Sequence, residues 1–142
     1  MVVRCYVLPP VEDPKALRDR IASASRDLFV QVVSSGAIDS EELCAMILAQ
    51  TDAAASRLCL LARRPEIDFL LRVAGTTQIS EAVKIAGAKS GKECVLVLSG
   101  QADKVTFAER LLPPGSARLG HRMKECDMDR VERAALLDAA RA

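Results

Sequence analysis

The segment "KECVLVLS" constrains the fold more than any other part of this chain, because it is a nearly continuous apolar run between Gly91 and Gly100. A strand with one face in water alternates apolar and polar residues, whereas an uninterrupted run indicates a central strand covered on both faces. Aromatic residues make up only 3% of the chain, although 50% of its residues are hydrophobic. We therefore expect this strand to be covered by aliphatic side chains.

The remaining apolar segments supply neighbours for that strand. The runs Val2–Leu8 and Leu28–Val33 predict two more strands, and "ARLGHRM" is either an edge strand or irregular. A helix is predicted between the first two strands, with Asp13 as its N-cap and Pro14 in its first turn. Further helices are predicted over "DKVTFAERLL" and "DMDRVERAALLDAARA". The fold class is therefore α+β, a single domain over residues 1–142 with a small mixed or antiparallel sheet packed by several helices.

A longer helical stripe opens in "IDSEELCAMILAQ", where Asp39 and Glu42 have the spacing of a capping box. Apolar residues at helical spacing continue from there as far as Arg64. Because Thr51 and Asp52 favour helix caps, the stripe is expected as one helix or as two.

Two short amphipathic helices are predicted next, each with apolar residues at i, i+3, i+4 and i+7. Gly75 and Gly87 are expected to end them. The apolar positions of the two helices are Ile67, Leu70, Leu71 and Ala74, then Ile79, Ala82, Val83 and Ala86.

Two such helices around a tight turn are also typical of a helix-turn-helix nucleic-acid-binding regulator. The second helix would then present its polar residues to the major groove, namely Gln78, Ser80, Glu81 and Lys84. One lysine against one glutamate is a poor electrostatic footprint for DNA, so this regulator stays the alternative function.

The glycines of "IAGAKSGKECVLVLSG" resemble a phosphate-binding loop, which would indicate a nucleotide-using enzyme. The spacing from Gly87 to Gly91 is one residue too short for that motif, and Lys92 is followed by Glu93 instead of a hydroxyl residue. A phosphate-binding loop also joins a strand to a helix, whereas here a helix precedes a strand. A small-molecule enzyme that uses the Gly91–Lys92 loop is therefore a weaker alternative.

Composition narrows the function further. Lys and Arg total 20 against 19 acidic residues, so the chain lacks a global basic field. No apolar run approaches the roughly 20 residues needed to cross a bilayer, and the first residues lack the layout of a signal peptide. The five cysteines are widely spaced and His121 is the only histidine, so no metal site is expected. We expect a cytoplasmic protein with reduced cysteines, no cofactor and no catalytic residues.

A local basic patch is still expected in the middle of the chain. Six cations are concentrated there with few acids between them: Arg63, Arg64, Arg72, Lys84, Lys89 and Lys92. A neutral protein can bind RNA through such a patch.

The stretch "DFLLRVAGTTQISEAVKIAGAKSGKECVLVL" resembles the central signature of the kinase-binding Cgi/TPRKB subunit of the KEOPS complex in its archaeal form. The shared pattern is an acidic residue, an apolar helix, a Gly-Thr/Gln-x-Gln-Ile turn, Glu-Ala-aliphatic, a glycine stop and an apolar strand. The matching segments are Asp68, Phe69–Ala74, Gly75–Ile79, Glu81–Val83, Gly87 and Cys94–Leu98. The match covers about thirty residues, and residues 51–66 and 101–142 depart from the pattern.

This resemblance implies a non-catalytic accessory subunit that binds and regulates the Bud-type kinase/ATPase subunit. KEOPS complexes install threonylcarbamoyladenosine beside the anticodon of tRNA, and the archaeal subunit also binds tRNA near its acceptor end. On this hypothesis the kinase interface is formed by Gln78, Ile79, Ala82, Ile85 and Ala86. The six cations above would then contribute to tRNA binding.

Overall fold

The structure is a computed structural model that describes residues 1–141, with side chains except those of residues 126, 140 and 141. The strands are β1 (Val2–Leu8), β2 (Phe29–Ser34), β3 (Cys94–Gly100) and β4 (Ala117–Arg118). The helices are α1 (Pro14–Ala24), α2 (Glu41–Ser56), α3 (Pro65–Ala74), α4 (Ile79–Ala86), α5 (Ala102–Glu109) and α6 (Met128–Arg141), which a 3-10 turn at Glu125–Asp127 precedes. The predicted α+β class is confirmed.

The four strands form one sheet in the order β2-β3-β1-β4, and every neighbouring pair is antiparallel. Val2 lies opposite Gly100 and Leu8 opposite Cys94, so β1 and β3 pair along their whole length. Every residue of β3 is buried, as the apolar run predicts. The sheet is therefore antiparallel, and "ARLGHRM" contributes its short edge strand.

Helices cover both faces of the sheet, which explains why β3 tolerates no polar residue in its centre. Val95 and Val97 pack into a cluster that contains side chains of α2, α3, α4 and α6. Leu96 and Leu98 point to the other face and pack with side chains of α1 and α5. Because side chains alternate along a strand, burial on both faces requires apolar residues in succession.

The helix boundaries follow local chemistry, with two differences from expectation. Asp13 caps α1 by accepting a hydrogen bond from the Ala16 backbone N–H at 3.0 Å, as predicted. Ser40, not Asp39, caps α2 by accepting from the Leu43 N–H at 3.1 Å. The helix continues without a break through Thr51, because the Thr51 hydroxyl is satisfied by a buried carboxylate. It ends at Ser56 instead of Arg64, and residues 57–64 form a loop.

The two glycine stops differ in conformation. Gly75 ends α3 in the left-handed region at φ 77°, and its N–H donates to the Leu71 carbonyl at 2.8 Å. Gly87 ends α4 with an extended backbone and forms an isolated bridge to Val33 of β2. A Cβ at Gly87 would lie 2.5 Å from the Val83 carbonyl oxygen, so a larger residue does not fit there. The bridge between Gly87 and Val33 holds the end of α4 against the edge of the sheet. Among the described residues, no helix combines the length and apolar character needed to cross a membrane.

Candidate partner-binding face

Helix α4 lies against the core through its two alanines. Ala82 and Ala86 are 0% and 1% exposed and belong to the same cluster as the side chains of α3. The expectation that Ala82 and Ala86 contact a partner is therefore wrong, because their methyl groups are already covered by this chain. Small side chains at i and i+4 let α4 approach its neighbours closely, so the larger aliphatic side chains lie beside the contact.

Three of those larger side chains are half exposed. Ile79 is 52% exposed, Val83 51% and Ile85 56%. We call these three residues together the apolar face of α4; Ile79 and Val83 lie on one side of the buried alanines and Ile85 on the other. Gln78, just before the helix, is exposed beside it. The structure therefore leaves the predicted Gln78, Ile79 and Ile85 accessible.

Val83 is the member of this face that the sequence did not single out for an interface. Its helical spacing from Ile79 placed it in the stripe expected to face the core. The available signal was the high proportion of apolar residues in such a short helix, at positions Ile79, Ala82, Val83, Ile85 and Ala86. One stripe toward a core needs about three to four apolar residues in two turns, so some of these side chains had to remain outside.

The helix is flanked by a groove on each side. On the first side, Val83 and Ala88 line a groove of about 250 Å³ together with Ile67, Leu70 and Arg64. On the second side, Ile85 lines a groove of about 350 Å³; its wall includes Val73, Ala86, Arg130 and Arg133. The crest of the helix between the grooves carries the exposed Ser80, Glu81 and Lys84, so the aliphatic side chains lie on its two flanks.

Arg72 is not part of the basic surface, which corrects the prediction that it contacts tRNA. Its side chain is 0% exposed and donates to Asp68 at 2.7 Å and to Asp138 at 2.8 and 2.9 Å. Burial acts to lower the pKa of Arg72, but the hydrogen bonds to Asp138 and Asp68 outweigh it and raise the pKa above its usual value. Arg72 is therefore a permanently charged structural residue that joins α3 to α6.

The other five predicted cations are exposed. Lys84 lies 3.7 Å from Glu81 on the surface of α4. The Lys89 ammonium donates to the carbonyl oxygens of Lys84 at 3.2 Å and Gly87 at 3.5 Å, where the negative end of the helix dipole favours a cation. Lys92 lines a further depression together with Lys89. These three lysines therefore cluster around the C-terminal end of α4.

The two remaining cations lie at the start of α3. Arg64 precedes the helix, lies 3.7 Å from Glu66 and lines the groove beside Val83. Arg63 lies in the loop before it and lines a depression with Leu58. The structure thus divides the predicted basic patch into a lysine cluster and an arginine pair, with Arg72 removed from both.

The glycine–lysine loop is used structurally. Gly91 adopts φ 71°, and its N–H donates to the Val11 carbonyl at 2.7 Å. The Ser90 hydroxyl donates to the Glu12 carbonyl. A phosphate-binding loop needs free backbone N–H groups, and the Gly91 N–H is already bonded.

Two polar clusters lie at the sheet. The buried Glu41 carboxylate accepts from the Cys5 N–H at 2.9 Å and from Arg118 at 3.0 Å. His121 is 76% exposed and lies 3.9 Å from Glu41, at the edge of the sheet. On the other face, Tyr6 and Arg4 both donate to Glu109. These contacts attach α2 and α5 to β1. No group of three metal-ligating side chains occurs among the described residues.

The polar positions of the alternative DNA-binding hypothesis are also exposed: Gln78, Ser80, Glu81 and Lys84. They share the surface of α4 with the apolar face, and this alternative stays a prediction. No known protein family matches this chain, and a comparison with curated proteins gives no match either.

Proposed function

We propose that this protein is a non-catalytic accessory subunit of a KEOPS-type complex, which docks a Bud-type kinase subunit on the apolar face of α4. In this proposal it regulates the kinase and helps to recruit tRNA for threonylcarbamoyladenosine modification next to the anticodon, in the cytoplasm. The observation that carries the proposal is the exposure of Ile79, Val83 and Ile85 on a helix whose small residues face the core. The resemblance of residues 68–98 to the kinase-binding family adds the identity of the partner.

The exposure of these side chains favours a protein as the occupant. Three half-exposed aliphatic side chains on one eight-residue helix, with a groove on each flank, are typical of an interaction site. Burying each of them against a partner would contribute about 1 kcal/mol, since each is already half covered here. The adjacent grooves give the partner side chains a place to pack, as interface cores require.

The experiment is a binding measurement with the purified Bud-type kinase subunit. We expect Ile85→Glu to weaken the affinity at least about tenfold, because the interface loses an aliphatic contact and the new carboxylate competes with the partner at a groove lined by Arg130 and Arg133. Phe107→Glu is the matched control, since Phe107 is 48% exposed on α5, which packs on the opposite face of the sheet from α4. Circular dichroism establishes that both variants are folded. Equal binding by the wild type and Ile85→Glu would remove α4 from the interface, and absence of binding by the wild type would refute the kinase partner.

The lysine cluster supports the second part of the proposal, which is tRNA binding. Lys84, Lys89 and Lys92 lie together around the end of α4, and Arg63 and Arg64 extend the basic surface toward α3. Phosphate contacts release counterions, so the affinity for tRNA is expected to fall steeply with salt.

A salt series of tRNA gel shifts tests this part separately. The double variant Lys84→Gln/Lys92→Gln should bind more weakly and reduce the salt slope by about one unit per lysine. Arg20→Gln on α1 is the control for a lost surface cation. If the wild type binds duplex DNA more tightly than tRNA, the helix-turn-helix alternative takes the place of this proposal.

A further inference from the structure

Arg133 has an unusual position beside the apolar face of α4. Its guanidinium lies over the glycine that ends α3, so that a Cβ on Gly75 would be 2.5 Å from the Arg133 Nε atom. No carboxylate oxygen of the described residues lies within 4.0 Å of the Arg133 nitrogens, whereas Arg72 and Arg130 each have two carboxylate partners. Arg133 is therefore an exposed cation without an acidic partner in the described part of the chain.

The neighbouring Arg130 provides the contrast. Arg130 lies on the same helix, 3.6 Å from Asp127 and 3.9 Å from Asp39, and also donates to the Ala37 carbonyl. Its charge is thus balanced within the chain. Both arginines line the groove beside Ile85, but only Arg133 has charge left for a ligand.

The composition of this groove determines what it can accept. Ile85 is the exposed aliphatic side chain of this groove of about 350 Å³, Val73 and Ala86 are buried at its base, and Ser34, Ser35 and Arg133 also line it. A partner that packs on Ile85 excludes water from the groove, which strengthens the attraction between a guanidinium and a carboxylate. A guanidinium also binds a carboxylate through two parallel hydrogen bonds, which fixes its orientation.

We propose that this groove binds a protein segment that carries an aliphatic side chain next to a carboxylate. The aliphatic side chain packs against Ile85, and the carboxylate pairs with Arg133. This inference rests on the proposed role of the apolar face of α4, and it adds the chemistry of the partner. Charge complementarity selects an acidic segment, and the exposed Ile85 side chain favours a protein over RNA, whose phosphates would gain nothing from it.

The test uses the full-length protein and a peptide library, so that it is independent of the kinase. Random linear peptides displayed on phage are selected against the immobilised protein, and the selected sequences are read for enrichment over the starting library. We expect aspartate or glutamate next to leucine, isoleucine or valine. A synthetic peptide of the selected sequence should lose at least about tenfold in affinity for Arg133→Glu, because the pairing becomes a repulsion.

Matched variants separate charge from folding. Arg133→Lys should retain part of the affinity, since the charge stays and the two parallel hydrogen bonds are lost. Arg20→Glu on α1 should leave the affinity unchanged, whereas Ile85→Ser should reduce it. Selection with Arg133→Glu itself should enrich lysine or arginine in place of the acid.

Several outcomes would overturn the inference. The selection could return no peptide, or only peptides without acidic residues. Arg133→Glu could bind the acidic peptide as well as the wild type does. RNA could displace every selected peptide. Self-association that depends on Arg133 would assign the groove to a second copy of this chain and also overturn it. If the kinase fails to bind while acidic peptides are selected, the proposed function fails and this inference stands. If the kinase binds while no acidic peptide is selected, this inference fails and the proposed function stands.

Discussion

Arg72 on α3 and Asp138 on α6 form a two-point ion pair, with Nη1–Oδ2 at 2.9 Å and Nη2–Oδ1 at 2.8 Å. The Arg72 side chain is completely buried, while that of Asp138 is 36% exposed at the rim. Asp68 occupies the other side of the guanidinium at 2.7 Å and also accepts from the Thr51 hydroxyl at 2.7 Å. This network joins α2 and α6 to α3, the helix against which α4 packs.

Removal of Arg72 is therefore expected to be costly. We expect Arg72→Met to lower the free energy of unfolding by about 3–5 kcal/mol, because the buried Asp68 carboxylate loses its cation. Urea unfolding near neutral pH measures the change. Arg63→Met is the control, since Arg63 is exposed and its loss should change stability by less than about 0.5 kcal/mol. A similar small change for Arg72→Met would mean that the network contributes little.

The hydrogen-bonded Glu109 carboxylate is expected to make the free energy of unfolding depend on pH. Burial acts to raise the pKa of Glu109, but hydrogen bonds from Tyr6 and Arg4 outweigh it and lower the pKa below its usual value of 4.5. Since the pKa is lower in the folded state, the stabilisation is present above that usual value and is lost as the pH falls through the folded pKa. Glu109→Gln should therefore be less stable than the wild type at about pH 7, and the difference should shrink as the pH falls below 4.5 and through the folded pKa.

Urea unfolding of the wild type and Glu109→Gln across this pH range measures the difference. Glu132→Gln, an exposed glutamate on α6, controls for the general effect of a removed acid. A difference that stays constant with pH would contradict an ionised, hydrogen-bonded Glu109.

The cysteines are expected to differ sharply in reactivity. A hydrogen bond with Cys5, followed by burial, raises the pKa of Cys44 well above its usual value, and burial raises the pKa of Cys94. The thiolate is the reactive form, and Cys5 is itself buried, whereas Cys59 is exposed. Iodoacetamide near pH 8 should label Cys59 in the native protein, and all three buried cysteines only in urea. Peptide mass spectrometry reads each site, and native labelling of Cys44 would show that this region opens.

Replacement of Leu58 by glycine is expected to stabilise the protein. Its side chain is 94% exposed and its φ is 56°, in the left-handed region that side chains with a Cβ rarely adopt. Leu58→Gly should raise the free energy of unfolding by roughly 0.5–1 kcal/mol, because backbone strain is removed and no packing is lost. Leu136→Gly is the matched control, since it should lower stability by about 1 kcal/mol in the exposed interior of α6. Thermal or urea unfolding compares the two; a loss of stability on Leu58→Gly would mean that Leu58 packs in solution.

Several features of the fold could be predicted because they depend on local chemistry. The apolar run at Cys94–Gly100 indicated a doubly covered strand, Asp13 indicated a helix start and Gly75 a helix end, and all three are confirmed. The stripe from Leu43 toward Arg64 was too long as predicted, since apolar residues in a loop that packs on the core have no distinct periodicity. The proposed partners and the tRNA-binding role stay predictions.

What the sequence determined by itself is which residues have to be buried somewhere and where regular elements begin and end. Only the tertiary structure decided which side of α4 faces the core, and thus that Ala82 and Ala86 are covered while Val83 is accessible. The burial of Arg72 was likewise decided by the tertiary structure. Its spacing from Asp68 equally fits a surface ion pair, but α6 packs over it and brings the distant Asp138 to its guanidinium. Helical periodicity reports which residues share a face, whereas burial depends on which other elements pack against that face, and those contacts join residues far apart in the chain.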